Sequence, residues 1–133
     1  MSNKPRVLIV DDNEDMRNIL ACLVQSANGE APSHAVSAAE ALAHIEFARR
    51  EGRQFDLILL DIKMPGVNGN DAAIALKKAG YTGLIAACTA AVSGVGRRQA
   101  LEAGIGCYFD KLNMRRETIL ALLDQARPKA VLP

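Results

Sequence analysis

Tryptophan is absent from this 133-residue chain, and aromatic residues make up only 4% of it. A single-strand nucleic-acid binder stacks bases on such rings, so that class loses its main support. An excess of charge of one sign is missing as well. The formal net charge is +1 with 23% charged residues, which leaves no electrostatic footprint for a polyanionic partner. No apolar stretch approaches the ~20 residues that span a bilayer. Lys4 and Pro5 lead straight into a short apolar run, so no signal peptide is read at the start. The three cysteines, Cys22, Cys88 and Cys107, are odd in number, widely spaced and without a C-x-x-C pair, which suggests neither a disulfide framework nor a zinc knuckle. They are expected as small buried hydrophobes in a protein of the reducing cytoplasm.

Glycine is lacking at one informative place. The first strand-to-helix turn reads DDNED, so neither the dinucleotide fingerprint nor a phosphate loop is present. Elsewhere Gly29, Gly52, Gly80 and Gly104 each follow a stretch with helical character, where a left-handed cap is wanted, and Pro128 closes the last one. Between these stops lie apolar runs suited to buried strands, at 6–10, 33–36, 55–60, 84–88 and 105–109. Five strands alternating with five helices predict an α/β fold, a parallel sheet covered on both faces. The length suits one domain over 1–133, with a core at about 6–126 and a short tail at 127–133.

Helical periodicity identifies the faces that should cover the sheet. Met16, Ile19, Leu20, Leu23, Val24 and Ala27 form one stripe; Ala38, Ala41, Leu42 and Ile45 form a second, opened by a capping box of Ser37 and Glu40. Ala72, Ala75, Leu76 and Ala79 mark the third helix, and Ile119, Leu122, Leu123 and Ala126 the fifth. The fourth, near 95–103, is weakened by Gly94 and Gly96, each costing about 1 kcal/mol relative to Ala. Phe47 lies opposite its helix stripe, either as an exposed contact or as a sign that the helix boundary differs. His34 and His44 have no ligand-like spacing and are read as surface or boundary residues.

Functional groups of an open α/β sheet gather beyond the carboxyl ends of its strands. Asp11 and Asp12 follow the first strand, Asp61 the third, Thr89 the fourth, and Lys111 lies just past the fifth. Each alone is an ordinary cap or turn residue; together they form a constellation. Three carboxylates in one crevice repel, by roughly 4 kcal/mol per pair about 4 Å apart at an effective dielectric of ~20. A hard dication relieves this, and Mg²⁺ (or Mn²⁺) suits a site of carboxylate oxygens and phosphate. Asp61 can then act as a nucleophile on phosphorus, with Lys111 supplying further positive charge.

These residues resemble the receiver domain of bacterial two-component and phosphorelay response regulators. VLIVDDNEDMR is similar to that family's acidic pair, LILLDIKMPGVNG to its phosphoacceptor strand and loop, CTA to its switch threonine, and EAGIGCYFDK to its last strand and lysine. The similarity runs from about Arg6 to Gln125. It implies a flavodoxin-like strand order 2-1-3-4-5 and a phosphoacceptor role for Asp61. It further implies metal binding by Asp12, Asp61 and the Lys63 backbone carbonyl, with Asp11 acting through water. Thr89 and Lys111 would contact the phosphoryl oxygens, and Tyr108 would turn inward as the switch aromatic. An effect of the Lys63 side chain on phosphoryl lifetime is also implied. Partners implied are a histidine kinase or histidine phosphotransfer protein and a downstream protein at the face of the fourth helix, fifth strand and fifth helix. Neither nucleic acid nor membrane is implied, and the chain would be a monomer or weak homodimer.

Two features depart from the family pattern. Leu112 stands where proline usually follows the lysine, so a trans Lys111–Leu112 bond is expected, with Asn113 capping the last helix. AAVSGVGRR, with its two glycines, is expected to be mobile before phosphorylation. Two other functions compete. A phosphatase of the haloacid dehalogenase type needs D-x-D, and position 63 is lysine; a phosphorylation-independent interaction module would not need the intact acidic set. No turnover of external phosphate esters is expected, only slow loss of the protein's own phosphoryl group.

Overall fold

Alternating side chains along each strand explain the architecture. A computed structural model describes residues 4–28, 30–64 and 66–126. Strands β1 (Val7–Val10), β2 (Ser33–Ala35), β3 (Leu57–Asp61), β4 (Leu84–Thr89) and β5 (Cys107–Asp110) form one parallel sheet in the order β2-β1-β3-β4-β5. The expected order 2-1-3-4-5 is therefore found. β1 and β3 are buried at every position, because helices cover both faces. Leu8, Val10, Ile58, Leu60, Ile85 and Ala87 point to one face; Val7, Ile9, Leu57, Leu59, Ala86 and Cys88 point to the other.

Five helices supply the cover: α1 (Glu14–Asn28), α2 (Ala38–Arg50), α3 (Gly69–Lys78), α4 (Gly94–Glu102) and α5 (Arg116–Ala126). Leu20 and Val24 of α1 pack beside Ile119, Leu122 and Leu123 of α5 on one face. Ala41 and Ile45 of α2, Ala72 and Leu76 of α3 and Ala100 of α4 cover the other. Each fully buried Leu or Ile contributes about 1.5–3 kcal/mol.

Several expectations change in detail. Ile19 is 54% exposed, because the buried face of α1 centres on Leu20 and Val24, while Met16, Leu23 and Ala27 are only partly covered. The α3 stripe runs through Gly69, Ala72, Ala73 and Leu76, leaving Ala75 and Ala79 half-buried. Phe47 is 60% exposed within an intact α2, so it is a true surface aromatic. His34 and His44 lie at the boundary, with His44 Nε2 2.9 Å from the His34 carbonyl oxygen. Only Cys88 is buried; Cys22 lies on the outer side of α1 and Cys107 is half-buried.

Chain reversals follow the sequence signals more closely. Ser37 Oγ accepts from the Glu40 N–H at 3.2 Å, while Glu40 Oε1 accepts from Val36, one residue earlier than the expected box. Gly52, Gly80 and Gly104 follow α2, α3 and α4 with φ of 71°, 102° and 86°, as left-handed caps require. Gly29, Pro128 and the tail 127–133 lie outside the described residues. Among the described residues, no helix is long and apolar enough to cross a membrane.

Candidate functional site

Because the five strands are parallel, β1, β3, β4 and β5 all end at the same rim, and each delivers a polar residue there. Asp11 follows β1, while Asp61 and Thr89 are the last residues of β3 and β4. Lys111 follows β5 and opens a 3₁₀ turn, Lys111–Asn113. Asp11, Asp61 and Thr89 are 1%, 3% and 1% exposed, whereas Asp12 faces solvent. Asp11, Asp12, Asp61 and Lys111 come together at this rim, and Thr89 ends the neighbouring strand at the same edge.

Buried carboxylates need partners, and these have them. Asp11 Oδ1 accepts from the Asn13 N–H at 2.9 Å, and its Oδ2 accepts from Lys111 Nζ at 3.1 Å. Asp61 Oδ1 accepts from the Lys63 N–H at 3.2 Å, and its Oδ2 lies 3.4 Å from the same Lys111 ammonium. One cation thus serves two carboxylates. Burial, and then the charge of Asp11, push the Asp61 carboxyl above its ordinary range, while Lys111 and the Lys63 N–H oppose this only in part. Burial alone would lower the Lys111 ammonium, but its hydrogen bond to Asp11 and the charges of Asp61 and Asp11 hold it above the usual lysine value.

One carboxylate oxygen from each of Asp11, Asp12 and Asp61 lies within 4.8 Å of the others. Three hard oxygen donors facing a single lysine leave the rim short of positive charge, and this donor set fits a divalent cation that prefers oxygen. The Lys63 side chain is exposed, and its residue pairs with Asn68 in a two-residue antiparallel hairpin, Lys63–Met64 with Val67–Asn68. Thr89 Oγ1 accepts from the Ala91 N–H at 3.2 Å. Thr89 and Tyr108 line one cavity of ≈ 660 Å³, together with Lys63, Met64, Ser93 and Gly96. Tyr108 points inward and is 7% exposed.

Four neighbours of the site were not singled out by sequence reasoning. Gly69 donates to the Ile62 carbonyl at 2.9 Å, and a Cβ there would sit 2.9 Å from the Asp61 carbonyl oxygen, so α3 starts directly against the segment after Asp61. Asn13 Oδ1 accepts from the Met16 N–H at 2.9 Å, opening α1. Arg17 Nη1 donates to the Asp11 carbonyl at 2.8 Å. Ser93 caps α4 by accepting from the Gly96 N–H at 2.9 Å, which offsets the weakness its glycines introduce. The capping residues were legible as types; the contacts of Gly69 and Arg17 depend on tertiary proximity.

The segment after Lys111 corrects one expectation and meets another. Asn113 does not cap the last helix. Its Nδ2 donates to Asp110 Oδ2 at 2.8 Å, Asp110 Oδ1 accepts from the Leu112 N–H at 3.0 Å, and α5 begins only at Arg116. The short 3₁₀ turn capped by Asp110 displaces the start of α5 by two residues, from 114 to Arg116. Among the described residues there is no cis peptide, in line with a trans Lys111–Leu112 bond.

A model of the response regulator receiver domain matches residues 7–124. The sensor protein GacS of Pseudomonas syringae pv. syringae is 32% identical over 127 residues, 92% of this chain and 13% of GacS. The transcriptional regulatory protein ResD of Bacillus subtilis is 32% identical over 128 residues, 94% of this chain and 50% of ResD. The chain therefore spans half or less of the length of these two relatives. Among solved structures, the receiver domain of the Arabidopsis thaliana histidine kinase CKI1 complexed with Mg²⁺ superposes with a TM-score of 0.71 at 27% identity, covering 82% of this chain and 85% of that one.

Proposed function

The chain belongs to the response regulator receiver domain family, and from that premise we propose that Asp61 accepts a phosphoryl group from a phosphohistidine and that the phosphorylated chain signals through a bound protein. One observation carries this reading: a single ammonium, Lys111 Nζ, bridges Asp11 Oδ2 at 3.1 Å and Asp61 Oδ2 at 3.4 Å at a rim where three carboxylates meet. Such a group is already beside the oxygen that would carry the phosphate.

In the proposed step an Asp61 carboxylate oxygen attacks phosphorus. The P–O bond forms as the P–N bond of the donor breaks, and the imidazole leaves with the electron pair. Lys111 shifts from pairing carboxylates to pairing a phosphoryl oxygen, and the Thr89 hydroxyl donates to another. Asp12, Asp61 and the Lys63 carbonyl would hold Mg²⁺, with Asp11 acting through water. Bound there, the dication offsets the negative charge that gathers on the transferring group. Support for the metal comes from the oxygen-only donor set and from the CKI1 receiver, which was solved with Mg²⁺.

The donor would be a histidine kinase or histidine phosphotransfer protein of the cytoplasm, as the similarity to a sensor protein suggests. Output would pass through a protein partner on the face of α4, β5 and α5. We read residues 7–124 as the receiver unit, acting by association and not by turnover of external esters; position 63 is lysine, so the second carboxylate of a D-x-D phosphatase is missing. Incubation with Mg²⁺ and a small-molecule phosphodonor tests the proposal. Uptake of one phosphoryl group that is lost with chelator and lost in Asp61→Ala supports it; a chain inert to every donor is instead a phosphorylation-independent interaction module.

A further inference from the structure

Helix α4 is held to the sheet by very little. Of its nine residues only Ala100 is buried, and Val95 and Leu101 are each 60% exposed. Its other attachment involves Tyr108 of β5. A Cβ built at Gly96 would collide with the Tyr108 hydroxyl and lie 3.0 Å from Ser93 Oγ, so the hydroxyl occupies the space a side chain at Gly96 would fill. Arg97 closes the other side. Its guanidinium carbon is 5.1 Å from the centroid of the Tyr108 ring, and its Nη1 donates to the Tyr108 carbonyl at 3.4 Å. The Ser93 hydroxyl that caps α4 accepts from Gly96 itself.

We propose that Gly96 and Arg97 form a receptacle that holds Tyr108 in its inward orientation against the first turn of α4. Gly96 is a positioning residue through the atoms it lacks, and Arg97 through the cation it lays on the ring. Seen this way, the glycine that weakens α4 as a helix is the residue that lets the helix seat. The link to signalling rests on the receiver reading, because Thr89 lines the same cavity as Gly96 and Tyr108. The receptacle itself does not depend on that reading.

The test exploits the tyrosine content, which is limited to Tyr81 and Tyr108. Protein labelled with 3-fluorotyrosine gives one fluorine resonance for each, assigned with Tyr108→Phe. Gly94→Ala is the control, since it is the same substitution in the same turn of α4 but a Cβ there meets no atom within 4 Å. The Tyr108 resonance is expected to stay in place in Gly94→Ala and to move to the solvent-exposed position in Gly96→Ala. Arg97→Ala, which adds no atoms, shifts it in the same direction, and Arg97→Lys restores part of the shift. A Tyr108 resonance unmoved in Gly96→Ala and Arg97→Ala overturns the receptacle. Phosphoryl uptake by the wild type is measured separately: its absence removes the receiver reading, while the fluorine shifts still decide the seat of Tyr108.

Discussion

Lys111 Nζ lies 3.1 Å from Asp11 Oδ2 and 3.4 Å from Asp61 Oδ2, so one ammonium compensates two buried carboxylates that reach it from strands at different places in the chain. Removing that ammonium strands both. Lys111→Met is expected to destabilise the fold by on the order of 2 kcal/mol, the cost of leaving buried charged groups unpaired. A urea midpoint equal to wild type contradicts this assignment.

Asp61 gives a pH dependence of defined sign. Its carboxyl is raised by burial and by Asp11, so the folded state binds more protons than the unfolded state in the window between the ordinary carboxylate value and the raised one. Stability contributed by this group therefore falls as pH rises through that window, and the full penalty is present above it. In Asp61→Asn this component disappears. The variant should gain stability over wild type from about pH 4 towards neutrality, with the difference vanishing in stronger acid. Denaturation midpoints of the two proteins across that range provide the check, and a constant difference counts against it.

Gly69 should not tolerate a methyl group. Alanine improves helix propensity by about 1 kcal/mol, but its Cβ would lie 2.5 Å from the Ile62 Cα and 2.9 Å from the Asp61 carbonyl oxygen, both backbone atoms. Overpacking against backbone costs about 1–3 kcal/mol, so Gly69→Ala is expected to be net destabilising. It should also slow phosphoryl uptake by displacing the segment that presents Asp61. Chemical denaturation and uptake kinetics read the two effects separately.

Leu112→Pro restores the residue usual in the family, yet it should not be neutral here. The Leu112 N–H donates to Asp110 Oδ1 at 3.0 Å and caps the 3₁₀ turn, and proline has no such donor. A loss of about 1 kcal/mol is expected for one hydrogen bond at an exposed position. An unchanged or raised melting temperature would show that the turn does not need it.

The sheet and its rim were legible in the sequence because β1, β3, β4 and β5 are largely apolar runs that stop at a polar residue, and parallel topology brings those stops together. Asp11, Asp61, Thr89 and Lys111 needed no more than that. What escaped depends on helix rotation and close approach. Ile19 fits the α1 stripe by spacing, but α5 covers only the side of Leu20 and Val24. Gly69 reads as a loop glycine until α3 is seen against Ile62. Asn113 is a good capping type, yet Asp110 claims the turn first, so α5 starts later than residue type alone suggested.

The central claim is that the Asp61 carboxylate is the atom group that takes the phosphate. An acyl phosphate on aspartate is reduced by borohydride to homoserine, so reductive trapping after incubation with Mg²⁺ and a phosphodonor, followed by peptide mass mapping, locates the site directly. The account predicts homoserine at position 61 alone; homoserine at Asp11 or Asp12, or at no position in a chain that has taken up phosphate, contradicts it.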